Sequence, residues 1–218
     1  MGAKRKKDNL MALAVLSVLM QRPMHPYEMA LRMRSQGKEH DMEIKWGSLY
    51  VVVQNLAKNG HIEPVETIHE GRRPARTVYC ITDAGKQRMV EWTRELLSVH
   101  HVEHSRFAAG IGMMTALHPN EVVELLRQRL ESVNKFVGVQ KEELARYLSE
   151  IPKVLLAEVE YRIAMAEAES AWMGRLIEEL AAGNYPDLEM WSKSNEAGAI
   201  PQELLDLAER SAARASEN

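Results

Sequence analysis

Two long runs of apolar residues in the second half of the chain most constrain its fold. In each run the apolar positions recur at alternating steps of four and three residues, which places them along one side of a helix. The first run covers residues 126–151 and the second covers 156–180, with Pro152 between them. The spacing predicts a helical hairpin whose arms are each roughly 40 Å long, at ~1.5 Å per residue.

A two-helix hairpin buries little apolar surface, so further apolar residues outside the two runs need another explanation. These residues are Leu125, Leu155, Tyr161, Met165, Trp172 and Leu176. They indicate a partner surface, most simply a second copy of the chain, although packing against residues 1–98 is an alternative. The predicted dimer contact uses the second arm: Val159, Ile163, Ala166, Ser170, Met173, Ile177 and Leu180.

Charge is divided unequally along the 218 residues. Residues 1–98 carry 16 Lys and Arg against 11 Asp and Glu, a net of +5, whereas residues 99–218 carry 12 against 20, a net of −8. A basic half indicates a polyanionic partner. The only cysteine, Cys80, excludes a disulfide within the chain and favours the reducing cytoplasm, and we expect it to fill a small space in the core.

The amino terminus has the outline of a secretory signal, because Lys4-Arg5-Lys6-Lys7 precedes an apolar run from Leu10 to Met20. No small-residue cleavage site follows that run. It is also shorter than the ~20 residues that a membrane-spanning helix needs. We therefore expect a buried helix in a cytoplasmic protein without a membrane partner.

The remainder of the first half predicts three helices and a hairpin. After the first helix, Pro26 fits the first turn of a second. A third over 46–60 is favoured over a strand by helical spacing of Leu49, Val52, Val53 and Leu56. Two β-rich runs, 62–68 and 76–81, flank an arginine-containing tip, and a further helix follows through about Leu97. This order is typical of a winged helix-turn-helix.

If the apolar side of the third helix faces inward, its polar side suits the major groove of DNA. Gln54 and Asn55 can pair with adenine, and Val51 can contact a thymine methyl group. The arginines of the tip suit phosphates or a narrow minor groove. The predicted DNA-contacting residues are Tyr27, Lys45, Ser48, Tyr50, Val51, Gln54, Asn55, Lys58, Arg72, Arg73, Pro74 and Arg76.

Several short motifs also resemble the PadR-like family of transcriptional regulators. They are His25-Pro26-Tyr27-Glu28, Gly47-Ser48-Leu49-Tyr50, Gly60-His61-Ile62, Gly71-Arg72-Arg73-Pro74, Ile81-Thr82-Asp83-Ala84-Gly85, Leu117-His118-Pro119-Asn120-Glu121 and Glu158-Val159-Glu160-Tyr161-Arg162. The resemblance covers about residues 10–190. Val51 and Pro26 depart from the family pattern, which usually has proline at the first position and often glycine at the second.

The resemblance implies a cytoplasmic, homodimeric repressor that binds a palindromic operator and releases DNA on binding a small, often aromatic molecule. We expect that effector near Trp92, Phe107 and Met113, between the DNA-binding and dimerisation domains. The predicted fold is mainly α with a small β-hairpin: a winged helix-turn-helix over 1–98, a linker over 99–118, an antiparallel helical hairpin that forms a dimer over 119–182, and a partly mobile tail over 183–218.

Two alternative functions remain beside that of a transcriptional regulator. His100-His101-Val102-Glu103-His104 has the spacing of an inverted zinc-protease motif, and with His118 it could instead form a regulatory metal site. The match is short and lies in a predicted linker, so neither catalysis nor a cofactor is expected. The second alternative is an adaptor that holds a protein partner through its helical hairpin.

Overall fold

The computed structural model describes residues 9–38, 42, 44–68, 76–100, 102–103, 105–198, 202, 205–206 and 209–210, except for the side chains of 67 and 68. The chain divides into two compact units, Met1–Val102 and Glu103–Asn218. Each unit has its own hydrophobic cluster.

Helix α1, Leu10–Leu19, is the centre of the first unit. The side chain of Asn9 accepts a hydrogen bond from Met11 N and so caps the helix. Eight of the ten helical residues are buried, so helices and the hairpin can pack around α1 on nearly all sides. It contacts the other α-helices among the described residues of the unit, as well as the second hairpin strand.

Helices α2, Pro26–Ser35, and α3, Leu49–Lys58, pack against α1. A short 3-10 turn, Trp46–Ser48, leads directly into α3. The predicted helix, rather than a strand of three valines, is confirmed, because Leu49, Val52, Val53 and Leu56 all lie on its buried face. Gly60 ends this segment at a φ of 73°, a conformation that side chains with a Cβ rarely adopt.

The hairpin consists of β1, Ile62–Ile68, and β2, Arg76–Ile81, paired antiparallel with an irregularity between Pro64 and Glu66. Met24 extends the sheet by an isolated antiparallel β-bridge, in which it exchanges two backbone hydrogen bonds of 3.0 Å with Tyr79. Helix α4, Asp83–Ser98, follows at once, capped by the hydroxyl of Thr82. The predicted order of helices and strands is therefore confirmed.

Cys80 does not fill the core as expected. Its side chain is only half-buried, and its Sγ lies 3.7 Å from Glu63 Oε1 on the neighbouring strand. Burial, followed by the adjacent Glu63 carboxylate, raises the pKa of the thiol. The alternation of β2 directs this side chain toward a charged neighbour on the hairpin rather than toward α1.

The second unit begins with α5, Arg106–Gly112, and is built mainly from α6, Pro119–Tyr147, and α7, Ala157–Ala181. These two long helices pack along each other as the predicted hairpin. Contacts from Arg129 to Glu169, from Asn134 to Ser170 and from Gln140 to Arg162 fix their antiparallel register. The turn between them includes a 3-10 segment, Lys153–Leu156.

The apolar runs form the contact between α6 and α7. One of the residues expected on a partner surface, Leu176, does not lie on one. Leu176 is 6% exposed and belongs to the cluster of this unit, so it is not available to a partner. By contrast, Leu125, Leu155, Tyr161, Met165 and Trp172 are all exposed.

Part of the segment predicted as a tail from residue 183 is helical: Leu188–Ala197 forms helix α8. Trp191 anchors it: the indole is buried, and Nε1 donates a hydrogen bond of 2.9 Å to the Leu117 carbonyl. Ser192 Oγ lies 3.0 Å from His118 Nε2 and strengthens the same contact. Contacts of Trp191 and Ser192 therefore fix a helix whose packing its polar composition did not predict.

Within the residues described here, none of the helices combines the length and apolar character needed to cross a lipid bilayer.

Candidate nucleic-acid interface

Helix α3 has one buried and one exposed face, as its sequence predicts. Tyr50 and Val51 are each 56% exposed, and Gln54, Asn55 and Lys58 also face outward. The opposite face is held by the core cluster around α1. A helix fixed in this way presents its polar side chains on a rigid support, which suits contacts with the edges of base pairs.

The residues just before α3 are held by the 3-10 turn. Ser48 Oγ donates a hydrogen bond of 2.8 Å to the Lys45 carbonyl and lies 3.8 Å from the sulfur of Met11. Ser48 is therefore half-buried and engaged in the turn, rather than fully outward on the helix as expected. Lys45 itself is exposed at the start of the turn.

His25 joins α2 to α3. Its Nδ1 accepts a hydrogen bond of 3.2 Å from Tyr27 N and caps the amino terminus of α2, next to Pro26. Its ring also lies edge-on to the ring of Tyr50, with 6.5 Å between the centroids. The first turns of α2 and α3 therefore form one continuous surface.

The base of the wing reaches the same surface. Arg76, the first residue of β2, lines an open cleft together with His25 and Tyr27. Tyr27 is 64% exposed at the start of α2. The structure thus brings Tyr27, Tyr50 and Arg76 around His25, although their positions in the sequence are far apart.

The electrostatics of this surface are visible at His25. Burial, followed by the positive charge of Arg76, lowers the pKa of its imidazole, while Glu28 opposes the shift. Arg22 forms an ion pair with Glu28 beside the cleft. The cluster therefore holds positive charge near the amino terminus of α2, whose backbone N–H groups also favour an anion.

Arg72, Arg73 and Pro74, predicted to contact DNA from the wing tip, lie outside the residues that the structure describes. Their role stays a prediction. The strands that lead to the tip are described, and they run from the core of the first unit out to residues 68 and 76.

Two residues of this surface, His25 and Arg22, were missed as candidate contacts. The available signal was the His-Pro pair, since proline is favoured at the first helical position and so places the histidine at the N-cap. The same pair recurs at His118-Pro119, where His118 Nδ1 accepts a hydrogen bond from Asn120 N at the start of α6. The pattern could not predict the contact between His25 and Tyr50, because that contact joins two different helices.

The residues predicted to bind an effector occur in both units, and they differ in burial and in the side chains that they contact. Trp92 is 6% exposed in the first unit. In the second, Phe107 packs edge-on against Trp172 beneath the guanidinium of Arg129. Met113 is 72% exposed. Their shared role stays a prediction.

The zinc alternative is not supported by the described part of the linker. His100 and Glu103 lie outside any helix, although the motif requires a helix to place two histidines on one face. His101 and His104 are outside the described residues. Among the described side chains, no three His, Cys, Asp or Glu residues come together as a metal site.

Three helices, a two-stranded wing and an exposed polar face on the third helix define the class as a winged helix-turn-helix. Residues 15–91 match the family model described as the transcriptional regulator PadR-like family. Residues 15–91 therefore carry a domain similar to those of this family of regulators, as the motifs predicted. Comparison with curated proteins gives no match.

Solved structures share the fold beyond the matched domain. PadR of Bacillus subtilis in complex with operator DNA has a TM-score of 0.64 at 14% identity, covering 78% of this chain and 99% of that one. The same protein in complex with p-coumaric acid gives 0.64 at 14%, covering 79% and 99%. The virulence activator AphA of Vibrio cholerae gives 0.61 at 17%, covering 79% and 98%.

Proposed function

We propose that the protein is a cytoplasmic, effector-responsive repressor that binds an inverted-repeat operator as a homodimer. The observation that carries this proposal is the surface formed by the outer face of α3, the start of α2 and Arg76. It combines rigid polar side chains for base edges with positive charge for phosphates. The match of residues 15–91 to a family of regulators supports the same conclusion.

The dimer is proposed from the second unit. Four of the predicted dimer residues, Ile163, Met173, Ile177 and Leu180, are already buried within one chain. We therefore place the dimer contact on the apolar side chains that remain exposed on the hairpin: Leu125, Phe136, Val139, Leu155, Tyr161, Met165 and Trp172. Exposed apolar residues in this number on two adjacent helices are typical of a protein interface.

A dimer sets the expected form of the operator. Two identical α3 helices related by a twofold axis recognise two half-sites in opposite orientation, about one helical turn or roughly 34 Å apart. Regulation by a small molecule is proposed because PadR of Bacillus subtilis has been solved both with operator DNA and with p-coumaric acid. We propose that DNA binding represses transcription. Activation is the alternative, because AphA of Vibrio cholerae is described as an activator.

Selection of tight-binding duplexes from a random pool tests this function. We expect the chain to enrich an inverted repeat, and Gln54→Ala to lose preference at particular bases by ~1–3 kcal/mol. Replacing Arg72, Arg73 and Arg76 together by alanine is expected to weaken binding to all sequences and to reduce the dependence on salt. Gln128→Ala, an exposed glutamine on α6, is the matched control and should behave as wild type.

If selection enriches no sequence, or if wild type and the triple arginine variant bind DNA equally, the result would instead favour the alternative in which the protein is an adaptor. In that case the exposed hairpin surface would hold a protein partner, and the arginines of the wing would have no role in DNA binding. Transcription from a reporter that carries the enriched sequence then separates repression from activation.

A further inference from the structure

The backbone on either side of His25 is fixed by hydrogen bonds to two elements. Met24, which is buried, exchanges two backbone hydrogen bonds with Tyr79 of β2. The carbonyl of His25 accepts a hydrogen bond of 3.0 Å from Met29 N of α2. The half-buried imidazole therefore extends from a backbone position that is set relative to both the wing and α2.

The hydrogen bond of His25 Nδ1 decides where the imidazole can take up a proton. Nδ1 accepts from Tyr27 N at 3.2 Å, so the neutral ring carries its hydrogen on Nε2. A second proton enters at Nδ1 and displaces Tyr27 N. This hydrogen bond is exposed, so a water molecule or a phosphate oxygen can accept from Tyr27 N instead. Protonation of His25 therefore leaves no buried donor without an acceptor at this point.

Charged groups surround His25 on several elements. Among the described residues, the charged and titratable side chains that share its cleft or contact its ring are Arg22, Tyr27, Glu28, Tyr50, Glu66 and Arg76. Glu28 is already paired with Arg22. Burial, followed by the charge of Arg76, lowers the pKa of the imidazole, so the ring is largely neutral at pH 7. The free chain thus holds an uncharged imidazole beside a guanidinium of the wing.

DNA reverses this balance, a step that rests on the proposed function. A phosphate that meets Arg76 neutralises the guanidinium charge and brings a negative charge toward the imidazole. Both effects favour the charged ring. The new N–H at Nδ1 then has an acceptor close by. We infer that each chain takes up a proton at His25 when it binds DNA, so that its affinity for the operator rises as the solution becomes more acidic.

The coupling between proton and DNA acts in both directions. Each tightens the binding of the other by the same factor, because both favour one state of the chain. In its neutral form His25 is a positioning residue that joins the starts of α2 and α3. In its charged form it adds a phosphate contact to the one made by Arg76. The switch needs no bound effector.

The pH interval of the effect follows from the two states. Well above the ordinary value of 6.5 the ring is neutral both with and without DNA, so the pH has no effect on affinity through His25. Its pKa in the free chain is below 6.5, and the phosphate raises the pKa in the complex. Affinity therefore increases as the pH falls through the complex's pKa toward that of the free chain, and is constant again below both.

Fluorescence anisotropy of the full chain on the selected duplex tests the inference, between about pH 8.0 and 5.5 at constant ionic strength. His25→Asn keeps a side chain that can cap α2 but does not titrate. A neighbouring opposite charge typically favours the charged form of a titrating group by roughly tenfold or more. We therefore expect the affinity of wild type to rise roughly tenfold more than that of His25→Asn over this range.

Two further measurements report the proton and the new contact separately. Calorimetry of DNA binding in buffers of different ionisation enthalpy counts protons, and wild type should take up as much as one more per chain than His25→Asn. One added cation at the phosphates steepens the slope of log affinity against log salt by ~0.9. We expect this steepening for wild type at pH 5.5 relative to pH 8.0, and a smaller change for His25→Asn.

Two histidine variants are matched controls. His100→Asn changes an exposed histidine outside any helix. His118→Asn changes a histidine that caps α6 ahead of a proline, as His25 caps α2, but belongs to the second unit. Both should keep the pH dependence of wild type. Circular dichroism at pH 5.5 checks that wild type and the variants are folded.

The outcomes separate this inference from the proposed function. Sequence-specific binding with the same pH dependence in wild type and His25→Asn overturns the inference and leaves the proposed function intact. Weaker binding by wild type in acid, relative to His25→Asn, also overturns it, since loss of the cap on α2 would then outweigh the added charge. Failure to bind DNA at every pH refutes the proposed function and the inference with it.

Discussion

At the scale of single residues, the imidazole of His25 connects three parts of the candidate interface. Its Nδ1 caps α2, its ring contacts Tyr50 on α3, and Arg76 from the wing lies near enough to disfavour its positive charge. Protonation of Nδ1 removes the acceptor that holds Tyr27 N. The neutral ring is therefore the form that the folded protein prefers.

This preference predicts a pH dependence of stability. The pKa of His25 is lowered in the folded chain from its ordinary value of 6.5, so the unfolded chain binds more protons in the interval just below that value. The contribution of His25 is present above about pH 6.5 and is lost as the pH falls toward the folded pKa. His25→Asn keeps a capping side chain without a titrating group, and we expect urea midpoints that fall less steeply between pH 7.5 and 5.5.

His100→Asn is the control for this experiment, since His100 is exposed and outside any helix. It should keep the slope of wild type. Identical slopes for wild type and His25→Asn would show that the imidazole does not favour its neutral form in the folded protein.

At the scale of elements, the start of α4 is pressed against the end of α3. A Cβ built on Gly85 would lie closer to the carbonyl oxygen of His61 than real Cβ atoms approach, and 2.8 Å from Cγ1 of Ile81. The backbone of His61 cannot retreat easily because both its N–H and its carbonyl are hydrogen-bonded. Glycine is therefore required here by close approach and not by its φ angle.

Gly85→Ala is expected to lower the free energy of unfolding of the first unit by about 3 kcal/mol, through overpacking against fixed backbone. Hydrogen exchange of the buried amides of α1 reports this loss. Gly138→Ala on α6 is the matched control: nothing lies within 4 Å of its added Cβ, and alanine stabilises a helix by about 0.5–1 kcal/mol relative to glycine. Unchanged exchange in Gly85→Ala would mean that α4 can move away from His61 at little cost.

Sequence patterns predicted these elements well where the pattern involves neighbouring residues. They did not predict features that depend on contacts between residues far apart in the sequence. The spacing of Leu49, Val52, Val53 and Leu56 identified α3 and its buried face, since helical periodicity depends on near neighbours. The packing of helix α8 was not predicted because it depends on a hydrogen bond from Trp191 to Leu117, 74 residues away. The setting of Cys80 was missed because it depends on the register of two strands.

At the scale of the whole molecule, the exposed hairpin surface predicts the oligomeric state. Tyr161 and Met165 are 68% and 53% exposed and lie one turn apart on α7. Replacing both by glutamate places two charges in the proposed contact, and we expect the dimer to dissociate. Sedimentation velocity measures the change. Affinity for an inverted repeat should fall toward that of a single half-site.

Glu131→Lys, a charge change at an exposed position of α6 that points away from Leu125 and Phe136, should leave the dimer intact. If the double variant sediments as wild type, the dimer contact lies elsewhere or the chain is a monomer. Circular dichroism of both variants confirms that the helices are retained.

The opposite charges of the two units have a consequence for how the protein finds its site. The first unit has a net charge of +5 and the second of −8, so the chain as a whole is acidic, with a pI of about 6.3. Non-specific DNA attracts one unit and repels the other. We expect residence on random sequence to be brief, so that the regulator searches the genome mainly by repeated dissociation and rebinding.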